Sequence, residues 1–95
     1  LTSLALKNVR TGETSSLPVD GVFIAAGRKP ASEGLTGVEL DEAGYVLTDD
    51  EMRTNLPGVF AAGDIRRKSL RQVVTAASDG AIAAENVVKY VNALR

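Results

Sequence analysis

The chain contains no cysteine and no histidine. Without cysteine there is no disulfide, no thiolate nucleophile and no sulfur-ligated metal site. Without histidine, the commonest general base and the commonest metal ligand are missing as well. Chemistry within these 95 residues is left to carboxylates, lysines and hydroxyls. Aromatic content is 4%, with no tryptophan, so stacking platforms for bases are scarce and a core must be built from Val, Leu, Ile and Ala. Neither sign of charge dominates: 11 basic and 12 acidic residues give a formal net charge of -1. That balance offers no footprint for nucleic acid and no polybasic patch for a membrane surface. No apolar run approaches the length of a membrane span.

What is present suits one small α/β unit. Hydrophobic content is 44%, within the range of packed globular domains. Residues 2–9 alternate loosely, with Leu4 and Leu6 on one face. Arg10-Thr11-Gly12-Glu13 reads as a turn, Gly12 supplying the positive φ of a tight reversal. Thr14–Leu17 returns antiparallel, and Pro18, which has no N–H to donate, ends the pairing. Val22–Ala26 is a continuous apolar run between Gly21 and Gly27, which suits a strand covered on both faces. Residues 31–44 read as a connector, Tyr45–Thr48 as a short strand, and residues 58–63 as the last strand, carrying Asp64 at its C-terminal end.

The final element is the clearest helix. Val73, Ala77, Gly80, Ala84, Val87, Val91 and Leu94 recur at alternating spacings of four and three, a single apolar stripe. Asp79, Asn86 and Lys89 lie off it. Small residues fill its middle, so the helix can approach a sheet or a flat ligand closely. Ser69-Leu70-Arg71-Gln72 fits a capping box at the helix start. Glu85 and Lys89 form an i,i+4 pair in the favourable order.

Two fingerprints are missing. No Gly-x-Gly-x-x-Gly turn is present to bring backbone N–H groups onto a pyrophosphate, and no Walker A loop occurs. Asp49-Asp50-Glu51 reads as a solvated acidic run, since adjacent residues do not converge on one ion. Asp64 has two readings. It is a carboxylate accepting local backbone N–H bonds after a glycine, or one that accepts hydrogen bonds from the sugar-like hydroxyls of a cofactor beyond the strand ends. The start of the helix at Arg71-Gln72-Val73 is likewise a solvated cap, or a positive dipole end facing an anionic group. Gly21–Arg28 and Gly58–Asp64 echo each other: both deliver a glycine and a charged residue after an apolar run. Chance likeness between buried strands and descent from two related nucleotide-binding domains both account for the echo.

Taken together, Thr54-x-x-Pro57-Gly58-Val59-Phe60-Ala61-Ala62-Gly63-Asp64, then Arg71-Gln72-Val73-Val74-Thr75-Ala76-Ala77 and Asp79-Gly80, resemble the C-terminal signature of bacterial thioredoxin reductases. Val22–Pro30 resembles the strand that closes the NADPH domain of that family. Related alkyl hydroperoxide reductase flavoproteins and ferredoxin-NADP reductases share the pattern. The resemblance implies an incomplete Rossmann-like α/β fragment, a β-hairpin and short strands followed by a long C-terminal helix. Residues 1–30 would be the end of the NAD(P)H-binding domain, and residues 31–95 the C-terminal segment of the FAD-binding domain. It implies that Asp64, delivered by Gly63, binds the FAD ribitol, and that Arg71, Gln72 and Val73 open the helix facing the flavin pyrimidine edge.

The parent enzyme implied is cytoplasmic, uses FAD and NADPH, and reduces thioredoxin or a similar disulfide protein. The family's cofactor fingerprints and redox Cys-x-x-Cys are not among these residues. The isolated chain is therefore expected to be inactive, to retain no cofactor, and to self-associate as a homo-oligomer, with exchanged strands or helices, to cover its edges. The competing expectation is a stand-alone, non-enzymatic α/β interaction module.

Overall fold

A computed structural model describes residues 1–95. They divide into an outlying hairpin and a body of loops backed by one helix. Strand β1 (Ser3–Lys7) pairs antiparallel with β2 (Thr14–Pro18), with Ser3 opposite Pro18 and Lys7 opposite Thr14. Gly12 turns the chain at φ 75°, and Asn8 organises the reversal by accepting the Arg10 and Thr11 N–H groups on Oδ1 at 2.9 and 3.1 Å. Pro18 is the last residue of its strand rather than the first beyond it. The ladder closes one step later, where the Val19 N–H donates to the Thr2 carbonyl at 3.1 Å. Neither face of the hairpin is covered; only Leu4 is partly buried.

Val22–Ala26 does not form the expected strand. Its backbone makes no hydrogen bond, and Phe23 and Ile24 are 102% and 88% exposed. A strand exists through its ladder partner, and no segment lies alongside this one. The consequence is visible in the dimensions. The radius of gyration is 20.2 Å and the extents are 67 × 25 × 22 Å, whereas a compact chain of this length would have a radius of about 12 Å. The accessible surface is 7440 Å², against about 5,200 Å² for a folded monomer of this mass.

The body begins near Pro30 and is built from short clasps. Val46, 1% exposed, bridges Leu40 on one side and Arg66 on the other. Its N–H donates to the Ile65 carbonyl and its own carbonyl accepts the Arg67 N–H, both at 2.9 Å. The expected strand at Tyr45–Thr48 is thus reduced to Val46. Leu56-Pro57-Gly58-Val59 forms a tight turn, with the Val59 N–H on the Leu56 carbonyl at 3.1 Å and Gly58 at φ 80°. That is the arrangement of a type II turn. The turn brings Phe60 opposite Arg53. The expected strand over 58–63 is reduced to this single bridge at Phe60: Gly58 and Val59 belong to the turn, and Gly63 at φ 83° starts a 3-10 turn, Gly63–Ile65.

Helix α1 spans Val73–Ala93. It begins three residues later than the Ser69 box would place it. Gln72 is extended, at φ -138° and ψ 161°, and serves as the cap; its N–H donates to Thr75 Oγ1 at 3.1 Å. The face turned to the body carries the buried Asp79 and Asn86 and the partly buried Ala76, Ala83 and Tyr90. The Tyr90 ring meets Phe60 edge-on at 6.3 Å. The apolar stripe points outward instead, with Val73 87% and Leu94 70% exposed. Polar anchoring through Asp79 and the contact between Tyr90 and the Pro57-Gly58 turn set the rotation of the helix, so hydrophobic periodicity does not predict which face packs here. The Glu85–Lys89 pair forms as expected, at 3.4 Å.

Candidate functional site

Asp64 sits in the 3-10 turn, one residue beyond buried Gly63. Its side chain is exposed, and its carboxylate accepts no hydrogen bond from the chain; only its backbone carbonyl is engaged, by Arg71 Nε at 3.0 Å. Two other aspartates behave in the opposite way. Asp41 Oδ1 accepts the N–H groups of Ala43 and Tyr45, and Asp49 Oδ1 those of Glu51 and Arg53, all at 2.9 Å. Those carboxylates are consumed by their own loops, as local turn chemistry dictates. Asp64 remains free to accept hydrogen bonds from outside the chain.

Arg71 braces this turn. Its Nε and Nη2 donate to the carbonyls of Asp64 and Arg66, both at 3.0 Å, and its guanidinium stacks 3.7 Å from the centre of the Tyr45 ring. The planar fork suits such a fixed arrangement. Arg71 precedes α1 by two residues rather than lying inside it. Beyond it, the N–H groups of Val73 and Val74 have no partner in the chain, as expected for the first turn of a helix.

These residues converge on one concave surface. A cleft of about 480 Å³ is lined by Gly27–Ala31, Tyr45, Asp64, Ile65 and Arg71. A second hollow of about 300 Å³ shares Arg28, Asp64 and Arg71 and adds Gln72, Val73 and Ala76. Asp64, Arg71, Gln72 and Val73 therefore meet at one site, with Gly63 buried beneath it. Sequence reasoning missed Arg28 and Tyr45, which lie 36 and 19 residues from Asp64 and enter only through the folding of the connector. The largest hollow, about 530 Å³, lies elsewhere, between the Pro57-Gly58 turn and Lys89, Tyr90 and Ala93.

A second missed feature lies behind the site. Asp79, on the inner face of α1, accepts the Gly63 N–H on Oδ2 at 2.9 Å, Lys68 Nζ on Oδ2 at 2.6 Å and Arg66 on Oδ1 at 2.9 Å. The three side chains are only 10–12% exposed. Burial alone would push the Asp79 carboxyl up. The bonds from Lys68, Arg66 and the Gly63 N–H outweigh it and hold the group at about 2, below its ordinary 3.8. Arg66 is itself oriented by donating to Thr48 Oγ1 at 2.7 Å. The only trace of this cluster in the sequence is an aspartate off the apolar stripe. The Asp49-Asp50-Glu51 run, by contrast, is exposed and engaged with Arg53, as a solvated run should be.

Comparison with known proteins places the chain in a family. The family model of the pyridine nucleotide-disulphide oxidoreductases matches residues 2–80. Thioredoxin reductase from Listeria innocua is 52% identical over 96 residues, covering 100% of this chain and 30% of the relative. That of Treponema pallidum is 50% identical over 95 residues, covering 100% of this chain and 31% of the relative. Among solved structures, Lactococcus lactis thioredoxin reductase superposes with a TM-score of 0.77 at 48% identity, over 95% of this chain and 30% of its own. The T. acidophilum thioredoxin reductase gives 0.79 at 38% identity, over 99% and 31%. The chain spans about 30% of the length of the relatives it matches. It belongs to the pyridine nucleotide-disulphide oxidoreductase family.

Proposed function

We propose that this chain, as a member of that family, is the flavin-facing segment of an FAD-dependent thioredoxin-disulfide reductase. The observation that carries the reading is the Asp64 carboxylate: exposed, without a partner, and beside the free N–H groups of α1, while Asp41 and Asp49 are consumed by their own turns. Asp64, set by Gly63, would accept hydrogen bonds from ribitol hydroxyls of FAD. Arg71 would hold the turn, and the entrance to α1, opened by Gln72, would present the free Val73 and Val74 N–H groups and the positive end of the helix dipole to the electron-rich edge of the flavin. The bound flavin supplies hydride acceptance from NADPH and electron delivery to a disulfide. Residues of this chain bind and orient it, and none of them is a thiol.

On this reading, residues 1–30 belong to the NAD(P)H-binding domain and residues 31–95 to the FAD-binding domain. The separation of the hairpin from the body supports that division. Thioredoxin as acceptor, a homo-oligomeric state and a cytoplasmic setting belong to the same reading. No helix is long and apolar enough to cross a membrane.

The test is FAD binding by the complete protein. Replacing Asp64 with alanine should weaken FAD binding about 10- to 100-fold, the value of hydrogen bonds to a charged acceptor. Unchanged affinity, measured by fluorescence titration of the apoprotein, would overturn the assignment.

A further inference from the structure

The Asp79 carboxylate touches nothing in the cleft, yet it holds the turn that carries Asp64 on both sides. One residue before Asp64, the Gly63 N–H donates to Oδ2; two residues after, Arg66 donates to Oδ1; four residues after, Lys68 donates to Oδ2. Gly63 is at φ 83°, a conformation that favours glycine. Ala76, three residues before Asp79 on α1, has its Cβ 3.6 Å from where a Gly63 side chain would begin. The helix therefore supports this turn in two ways, by close contact at Ala76 and by a charged acceptor at Asp79. A second bracket surrounds the first, since the Arg66 carbonyl accepts Arg71, which also holds the Asp64 carbonyl.

A buried carboxylate is tolerated only when fully paired, and once paired it fixes the geometry of its partners. A stabilising ion pair would need only a cation. Here the carboxylate also takes the backbone N–H adjacent to the ligand-facing residue. We propose that Asp79 is a positioning residue: by clasping the turn from Gly63 to Lys68 it aims the Asp64 carboxylate at the hydroxyl it binds. This inference rests on the reading of Asp64 as a cofactor-binding carboxylate.

A double-mutant cycle in the complete protein tests it, with FAD affinity of the apoprotein as the readout and the thermal midpoint measured alongside. Asp64→Ala and Asp79→Asn should each raise the FAD Kd, the first by at least about tenfold and the second by about five- to tenfold. In the double variant, Asp79→Asn should add nothing to the loss caused by Asp64→Ala, because its effect travels through Asp64. A purely structural Asp79 would instead multiply the two losses, and that result overturns the proposal. So does an Asp79→Asn variant with wild-type Kd. If Asp64→Ala alone leaves the Kd unchanged, the reading of Asp64 fails and this inference falls with it, a result distinct from additivity. Should Asp79→Asn not fold, Asp79→Glu takes its place in the cycle: it retains the charge for Arg66 and Lys68 while displacing the carboxylate from Gly63, and the same outcomes decide.

Discussion

Val22–Arg28 and Val59–Asp64 are written almost alike, as an apolar run, a glycine and a charged residue. They have opposite fates. The first lies bare and unbonded, with Phe23 fully exposed. The second is turned back on Arg53 by Pro57-Gly58, bonded to Met52 through the Ala61 N–H at 3.0 Å, and anchored at Gly63 by Asp79. The composition of a segment does not decide its order; partners within reach do. The second run finds its partners within 16 residues on either side, whereas none of the described residues lies beside the first.

The largest way to break this contrast is to remove the anchor. Asp79→Ala leaves Arg66 and Lys68 buried without their counter-ion and should cost about 3 kcal/mol, read from urea unfolding. The second region should then approach the first in hydrogen-exchange rate. Acid reaches the same anchor without mutation. The Asp79 carboxyl is held at about 2 in the folded state against 3.8 as its ordinary value. Its contribution of about 2 kcal/mol is therefore complete above pH 3.8 and is lost as the pH falls through 2. Stability measured across that window should show the loss, and Asp79→Asn should remove it.

A smaller break is Gly63→Ala. The added methyl meets Ala76 at an ordinary contact distance, so the cost is backbone strain at φ 83°, about 1 kcal/mol by denaturant titration. The smallest sharpens the contrast from the other side. Phe23→Ser removes an aromatic ring that touches nothing, so the unfolding free energy of the 95-residue chain should move by no more than about 0.5 kcal/mol. Self-association of that chain, followed by sedimentation, should nevertheless decrease, because the exposed apolar run is what a second copy would cover. A fall in stability without a change in association would show that Val22–Ala26 packs on its own chain after all.

The hairpin was legible from alternation and Gly12, and the long helix from its period. Each is governed by contacts a few residues apart. The grouping of Asp64, Arg71, Gln72 and Val73 came from the resemblance to thioredoxin reductases, not from any local rule; the structure makes them neighbours because Arg71 joins the turn to the helix entrance. Rotation of the helix was not legible. Seven apolar positions pointed to one face, while Asp79 and Tyr90 fixed another, because a buried ion cluster and one aromatic contact outweigh a stripe with nothing to cover it. Arg28 and Tyr45 were also hidden, since no local rule brings a connector across a helix start.

By itself the sequence determined which stretches can turn, which can wind into a helix, and that no thiol or imidazole chemistry resides in this chain. Only the tertiary structure decided which carboxylate is free and which is consumed. Asp41, Asp49, Asp64 and Asp79 are the same residue type, and what separates them is the set of donors that folding brings within about 3 Å.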